Sequence, residues 1–341
     1  MTTKPTRSRA TGRVTLADVA ALAKVSPITV SRALRGERAV AHELTVRVKA
    51  AALKLGYTPD PAARALASRH SDHVAVLIPM LSNNLFVDVL ESIQKTLRRA
   101  GYQTLIGITH YSTQEEEQLL REQLQHRPAG ILVTGLDRSD AACALIEQSG
   151  IPCVHMMELA ESSDIHSVGF SQTQAAMTLT EHLLQRGRKR IAFAAAQLDP
   201  RTLQRLDGWR KALKAAKLYD KALSYTDKSA SSMALGGEML QKILANDPHI
   251  DAIFFCNDDL AQGALLAAQR LKIKVPQQLA IAGFNDLTGS DLIGPGLTTI
   301  RTPRAAIGEA AAQMLLKLMR NEEVVTPSVD VGYELMVRGS T

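Results

Sequence analysis

Two arginines one helical turn apart, Arg201 and Arg205, stand in the run DPRTLQRLDGW. On a helix they share a face, and guanidinium forks so placed suit a carboxylate or phosphate ligand. A second polar cluster, Ser82, Asn83 and Asn84, stands just before Phe86. Its hydroxyl and amides can bond a polyol while the ring packs on a sugar face; helix capping is the other use of such residues. A third group lies near the N-terminus, where Ser26 precedes Pro27, Ile28, Thr29, Ser31 and Arg32. Arg32 can make two hydrogen bonds to a guanine edge, and Thr15 and Ser26, each heading a helix, can hold phosphates. These groups bind rather than react. No dinucleotide fingerprint or phosphate loop follows a strand, and the nine histidines are scattered without a metal pair or an obvious triad. His155 reads as a core or cleft-lining residue. The chain is therefore not read as an enzyme, and no cofactor or metal is expected.

The N-terminal group needs short helices to present it. Thr15 and Asp18 have capping-box spacing, and Leu16, Val19, Ala20 and Ala23 recur at helical spacing behind them. Lys24 and Val25 make a tight break. Ser26 is an N-cap and Pro27 sits at the first helical position, where its missing N–H costs nothing. Val30, Ala33 and Leu34 form a buried face; a third helix is predicted from His42 to Leu55, closed by Gly56. Three short helices with a tight first turn are a helix-turn-helix unit, whose second helix enters the major groove of DNA.

Charge agrees with that partner. Residues 1–73 carry 13 Lys and Arg against 5 Asp and Glu, a net +8 in a chain of +6, so the remainder is −2. A basic head on a near-neutral body suits a polyanion. No run of about 18 apolar residues suggests a membrane span, and the polar stretch Met1 to Arg13 lacks the apolar core of a secretory signal. Three cysteines without metal spacing suit a reducing cytoplasm.

From His73 onward short apolar runs alternate with helical patterns. Strands are predicted at 74–78, 104–108, 131–134 and 153–156, then at 191–195, 223–226, 253–256 and 279–282. The alternation implies an α/β class with parallel doubly wound sheets, and two successive series imply two lobes. Ligands of such sheets bind beyond the carboxyl ends of the strands, here between the lobes.

The run VTLADVAALAKVSPITVSRALRG, 14 to 36, resembles the head of the lac repressor family of bacterial regulators, and LGYTPDPAARALAS, 55 to 68, resembles its hinge. The resemblance covers the whole chain, most strongly in the head. It implies a periplasmic-binding-protein-like sensor and a hinge helix whose Leu66, with Ala63 one turn earlier, wedges into the minor groove and kinks the duplex. Pro27 and Ile28 depart from relatives that place polar base-reading side chains there, so the operator is expected to differ.

The resemblance also implies effector contacts. Arg205 stands in the RLxGW context of the effector-binding arginine, and Asn257 in FFCNDDLAQGAL matches an effector contact, with Asp258 read as a structural helix cap. In AGFND, Asn285 replaces the aspartate of relatives that bind neutral sugars; losing that charge favours an anion. SNNLF, GYQTLI, VGF and LDPRT most resemble the gluconate repressor branch. The expected effector is a sugar acid such as gluconate or 2-ketogluconate that releases the protein from DNA; a neutral sugar or a corepressor is the alternative, and a sugar-acid-binding carrier or enzyme the remote one.

The expected organisation is a basic disordered arm (1–13), a helix-turn-helix domain (14–58), a hinge (59–72) and a sensor (73–341). Lobe 1 would hold 73–168 and 300–322, and lobe 2 would hold 169–299 and 323–341. A single terminal strand at 329–335 is assigned to lobe 2. Without a leucine-heptad tail, a homodimer on a palindromic operator is expected.

Overall fold

The computed structural model describes residues 14–35, 40–58, 71–82 and 84–341. The chain divides into two units, Met1–Ser71 and Asp72–Thr341.

The first unit holds α1 (Leu16–Ala23), α2 (Pro27–Arg35) and α3 (His42–Leu55). Thr15 and Asp18 form the expected capping box: the Thr15 N–H donates to Asp18 Oδ2 at 2.8 Å while Asp18 N–H donates to Thr15 Oγ1 at 3.4 Å. Lys24 ends α1 in the left-handed region, φ 52°, and the chain turns at once into α2. Val19, Ala23, Val30, Ala33 and Val48 bring the three apolar faces into one small core. Side chains this small let the helices approach closely.

The second unit contains two six-stranded sheets. The first lobe is built from β1 (His73–Ile78), α4 (Asn84–Arg99), β2 (Gln103–Ile108), α5 (Thr113–Gln125), β3 (Gly130–Thr134), α6 (Asp140–Ser149), β4 (Cys153–Met156) and β5 (Ser167–Gly169). The second follows with α7 (Gln172–Gln185), β6 (Ile191–Ala195), α8 (Pro200–Ala215), β7 (Ser224–Thr226), α9 (Met233–Asn246), β8 (Ala252–Phe255), α10 (Asp258–Arg270), β9 (Ala280–Asn285) and β10 (Thr298–Arg301). Then α11 (Arg304–Met319) returns to pack on α4, and β11 (Ser328–Asp330) and β12 (Glu334–Met336) close the chain.

Strand orders are β11-β5-β4-β3-β1-β2 and β12-β10-β9-β8-β6-β7, all parallel except the β10–β12 pair. β3, β6 and β8 are buried along their whole length, as strands covered on both faces must be. That burial explains why they read as unbroken apolar runs.

The C-terminal end differs from expectation. The single strand predicted at 329–335 is two strands in two sheets: β11 pairs with β5 in the first lobe and β12 with β10 in the second. The chain crosses between them at Gly332, φ 71°, where Tyr333 Oη lies 2.9 Å from Thr178 Oγ1. A positive φ cannot continue a strand, so the apolar pattern spans a break it does not reveal. β5, only three residues long, also escaped the sequence reading.

Candidate DNA interface and effector cleft

In the head, Pro27 opens α2. Ser26 caps it, accepting from the Thr29 N–H at 3.2 Å, with the Thr29 hydroxyl 2.8 Å from its Oγ. Ile28 is 65% exposed, which an apolar side chain tolerates and a thymine methyl would cover. Arg32 is also exposed, whereas Ser31 and Thr15 are half-buried. Ala63 and Leu66 lie outside the described residues, as do the arm 1–13 and the hinge from 59 to 70.

In the sensor, Phe86, Arg201, Arg205, Asn257 and Asn285 line one cleft between the lobes, beyond the carboxyl ends of the central strands. Ser82 and Asn84 do not line it; both are exposed, and Asn83 lies outside the described residues. Asn84 opens α4, and two positions on, about 200° around the helix, Phe86 faces inward. Ser82 and Asn84 thus stand at the entry to the helix and outside the cleft lining.

Arg205 is 6% exposed. Its Nε donates to Gln172 Oε1 at 2.9 Å and Nη1 to the Cys256 carbonyl at 2.7 Å, while the guanidinium lies 3.9 Å above the centre of the Phe284 ring. It makes no ion pair among the described residues. Burial therefore pulls its pKa below the ordinary arginine range.

Arg201 meets the opposite situation. Its Nη1 lies 3.1 Å from Glu158 and 3.5 Å from Asp137, and its Nε 3.2 Å from Asp199. Burial opposes its charge, but these carboxylates outweigh burial and hold its pKa above the ordinary value. Of the two arginines expected to await a ligand anion, Arg201 already has its counter-charges within the protein, whereas Arg205 has none among the described residues.

Asn257 caps α10 through Oδ1, which accepts from Leu260 N–H at 3.1 Å, and its Nδ2 donates to Ser231 at 2.8 Å. Capping falls to Asn257 and not to Asp258. Asp258 is a buried structural brace, accepting from Leu287 N–H and from the Ser290 and Thr299 hydroxyls, and burial lifts its pKa to about 6. Asn285 Oδ1 accepts from the Thr302 hydroxyl at 3.1 Å.

Tyr111, Asp199 and Asp259 are among the cleft residues that escaped the sequence reading. Asp199 had a signal, since an acidic residue before proline is an N-cap pattern, and it caps α8. Tyr111 reaches the cleft through a left-handed backbone, φ 59°, that no spacing announces. Asp259 follows the cap of α10, and burial raises its carboxyl above the ordinary range. His155 joins a half-buried cluster in the first lobe and does not line the cleft. Its Nδ1 is 2.8 Å from Arg138 Nη1, and Arg138 Nε donates to Glu116 at 2.7 Å. Burial, helped by Arg138, lowers the His155 pKa to about 4.

Residues 15–60 match the model of bacterial regulatory proteins of the lacI family, and 180–341 match a periplasmic binding protein-like domain. The chain is 54% identical, over 98% of its length and 97% of the relative's, to the HTH-type transcriptional regulator GntR of Pseudomonas aeruginosa. The chain belongs to the lacI family. The GntR regulator of Escherichia coli K12 is 34% identical over 96% of this chain and 98% of its own. The crystal structure of the transcription regulator GntR from Chromobacterium violaceum superposes with a TM-score of 0.77 at 49% identity, covering 79% of this chain and 98% of that one. This lacI-family protein is thus a DNA-binding transcriptional repressor, and its relatives are regulators, not enzymes. No helix among the described residues is long and apolar enough to cross a membrane.

Proposed function

We propose that this repressor senses a sugar acid, gluconate or 2-ketogluconate, whose binding in the cleft releases it from its operator in the cytoplasm. The observation that carries the reading is Arg205: a buried guanidinium on the cleft wall with no carboxylate partner among the described residues. A buried charge without a counter-charge is costly, and a ligand carboxylate removes that cost. Asn285 supports the same sign of ligand, because its Oδ1 is engaged by Thr302 and its Nδ2 is left to donate. Asp259 and the Ser231 hydroxyl suit the hydroxyls of a polyol.

Base reading falls to Pro27, Ile28, Thr29, Ser31 and Arg32, phosphate contact to Thr15 and Ser26, and the minor-groove wedge to Ala63 and Leu66. One head reads one half-site, so the working form is a homodimer on a palindrome. The effector acts by its differential affinity for the DNA-competent and DNA-released states.

Asp259 also suits a neutral sugar, and titration separates the two ligands. Calorimetry of the full chain with gluconate, 2-ketogluconate and ribose is expected to show selective binding of one acid. Ribose binding with neither acid bound would discard the sugar-acid reading and leave the repressor assignment standing.

A further inference from the structure

We propose that Arg201 is not an effector ligand but an interlobe clasp, a positioning residue that sets how readily the cleft closes. The proposal rests on the reading of the cleft as the effector site. Arg201 stands on α8 of the second lobe, whereas Glu158 and Asp137 follow β4 and β3 of the first. The ion pairs at 3.1 and 3.5 Å therefore cross the cleft. Gln204, almost one turn further along α8, donates to the other oxygen of Glu158 at 2.6 Å. Both Glu158 oxygens are thus held by the opposite lobe, and the Leu136 N–H backs one of them at 3.3 Å.

The first-lobe loop is shaped to receive the guanidinium. A Cβ on Gly135 would lie 2.3 Å from Arg201 Nη1 and 2.9 Å from Glu158 Oε2, and Gly135 has φ 77°. Only glycine both adopts that backbone and leaves that space. Arg201 and Glu158 are 6% and 4% exposed, so the pair is shielded from solvent. Arg205, by contrast, bonds to Gln172 and Cys256, both of its own lobe. One arginine faces the ligand and the other faces the partner lobe.

These contacts exist only while the lobes are closed. They favour closure by differential interaction, the only currency in which a two-state equilibrium moves. Opening the cleft strands Glu158 and removes two of the three carboxylates around Arg201. Effector affinity then depends on the clasp without any effector atom touching it, because the affinity scales with the fraction of binding-competent protein.

The test uses the full chain carrying Glu158→Gln, Arg201→Gln, both together, and Arg201→Lys. Gluconate affinity is read by calorimetry, and hydrogen exchange is followed in the ligand-free protein. A clasp predicts about a tenfold loss of affinity in either single variant and less loss in the double than the two singles combined, since they share the Arg201–Glu158 pair. It also predicts faster exchange at 135–138 and 157–160 in Arg201→Gln, across the cleft from the change, and partial rescue of both readouts in Arg201→Lys. Abolished binding in Arg201→Gln with Glu158→Gln unchanged would make Arg201 a ligand and overturn the proposal. Unchanged exchange and affinity in both singles would overturn it as well. If wild type binds neither acid, the sugar-acid reading fails, while the exchange comparison still decides the clasp.

Discussion

Arg201 and Arg205 carry the same side chain just over one turn apart on α8, yet one is ringed by three carboxylates and the other by none. Neighbours, not residue type, decide which can accept an anion. Arg205→Lys is expected to weaken gluconate by at least about tenfold, because an ammonium cannot reproduce a fork held over a ring. Asn285→Asp restores a negative charge in a pocket where that residue is 2% exposed. It should weaken the acid by about tenfold or more and a neutral polyol far less, an outcome that comparative calorimetry reads. Equal losses for acid and polyol would count against the charge argument.

The elements hold these residues by local devices. Thr15→Ala removes one half of the capping box of α1 and should cost the head about 1 kcal/mol, measured by urea unfolding of the full chain followed by circular dichroism. Operator affinity should fall in parallel, since the same hydroxyl lies where phosphate contact is proposed. In the first lobe the Arg138–Glu116–His155 cluster ties β4 to α5 and to the loop after β3. The folded pKa of His155 is about 4, below its ordinary 6.5, so the unfolded chain binds the extra proton between those values. The contribution is fully present above pH 6.5 and is lost as pH falls toward 4. His155→Gln should flatten that part of the melting-temperature profile; an unchanged slope between the two values would reject the assignment.

At the scale of the molecule, DNA binding and effector binding belong to different units. Deleting 1–71 should leave gluconate affinity intact and abolish operator binding, as calorimetry and a DNA-shift assay would report. Operator binding by the full chain should weaken steeply with added salt, as phosphate contacts by a basic head require. The head and the strand series were legible in the sequence because they rest on local rules: capping spacing, helical and strand periodicity, and charge counted along the chain. Asp199 escaped the sequence reading although its cap signal stood beside a proline, and its pairing with Arg201 had no local signal at all. That Ser82 and Asn84 lie outside the cleft lining was not legible, because a polar run before a helix looks the same wherever it faces. Tyr111, Asp259, the split of β11 from β12 and the partners of Arg201 were decided only by tertiary structure. Positive φ values set Tyr111 and the break at Gly332, and Arg201 meets partners 43 and 64 residues away in the chain. Spacing tells which residues share a face, whereas the fold alone tells what that face meets, and here that difference separates the arginine proposed as the anion site from the one proposed as a clasp.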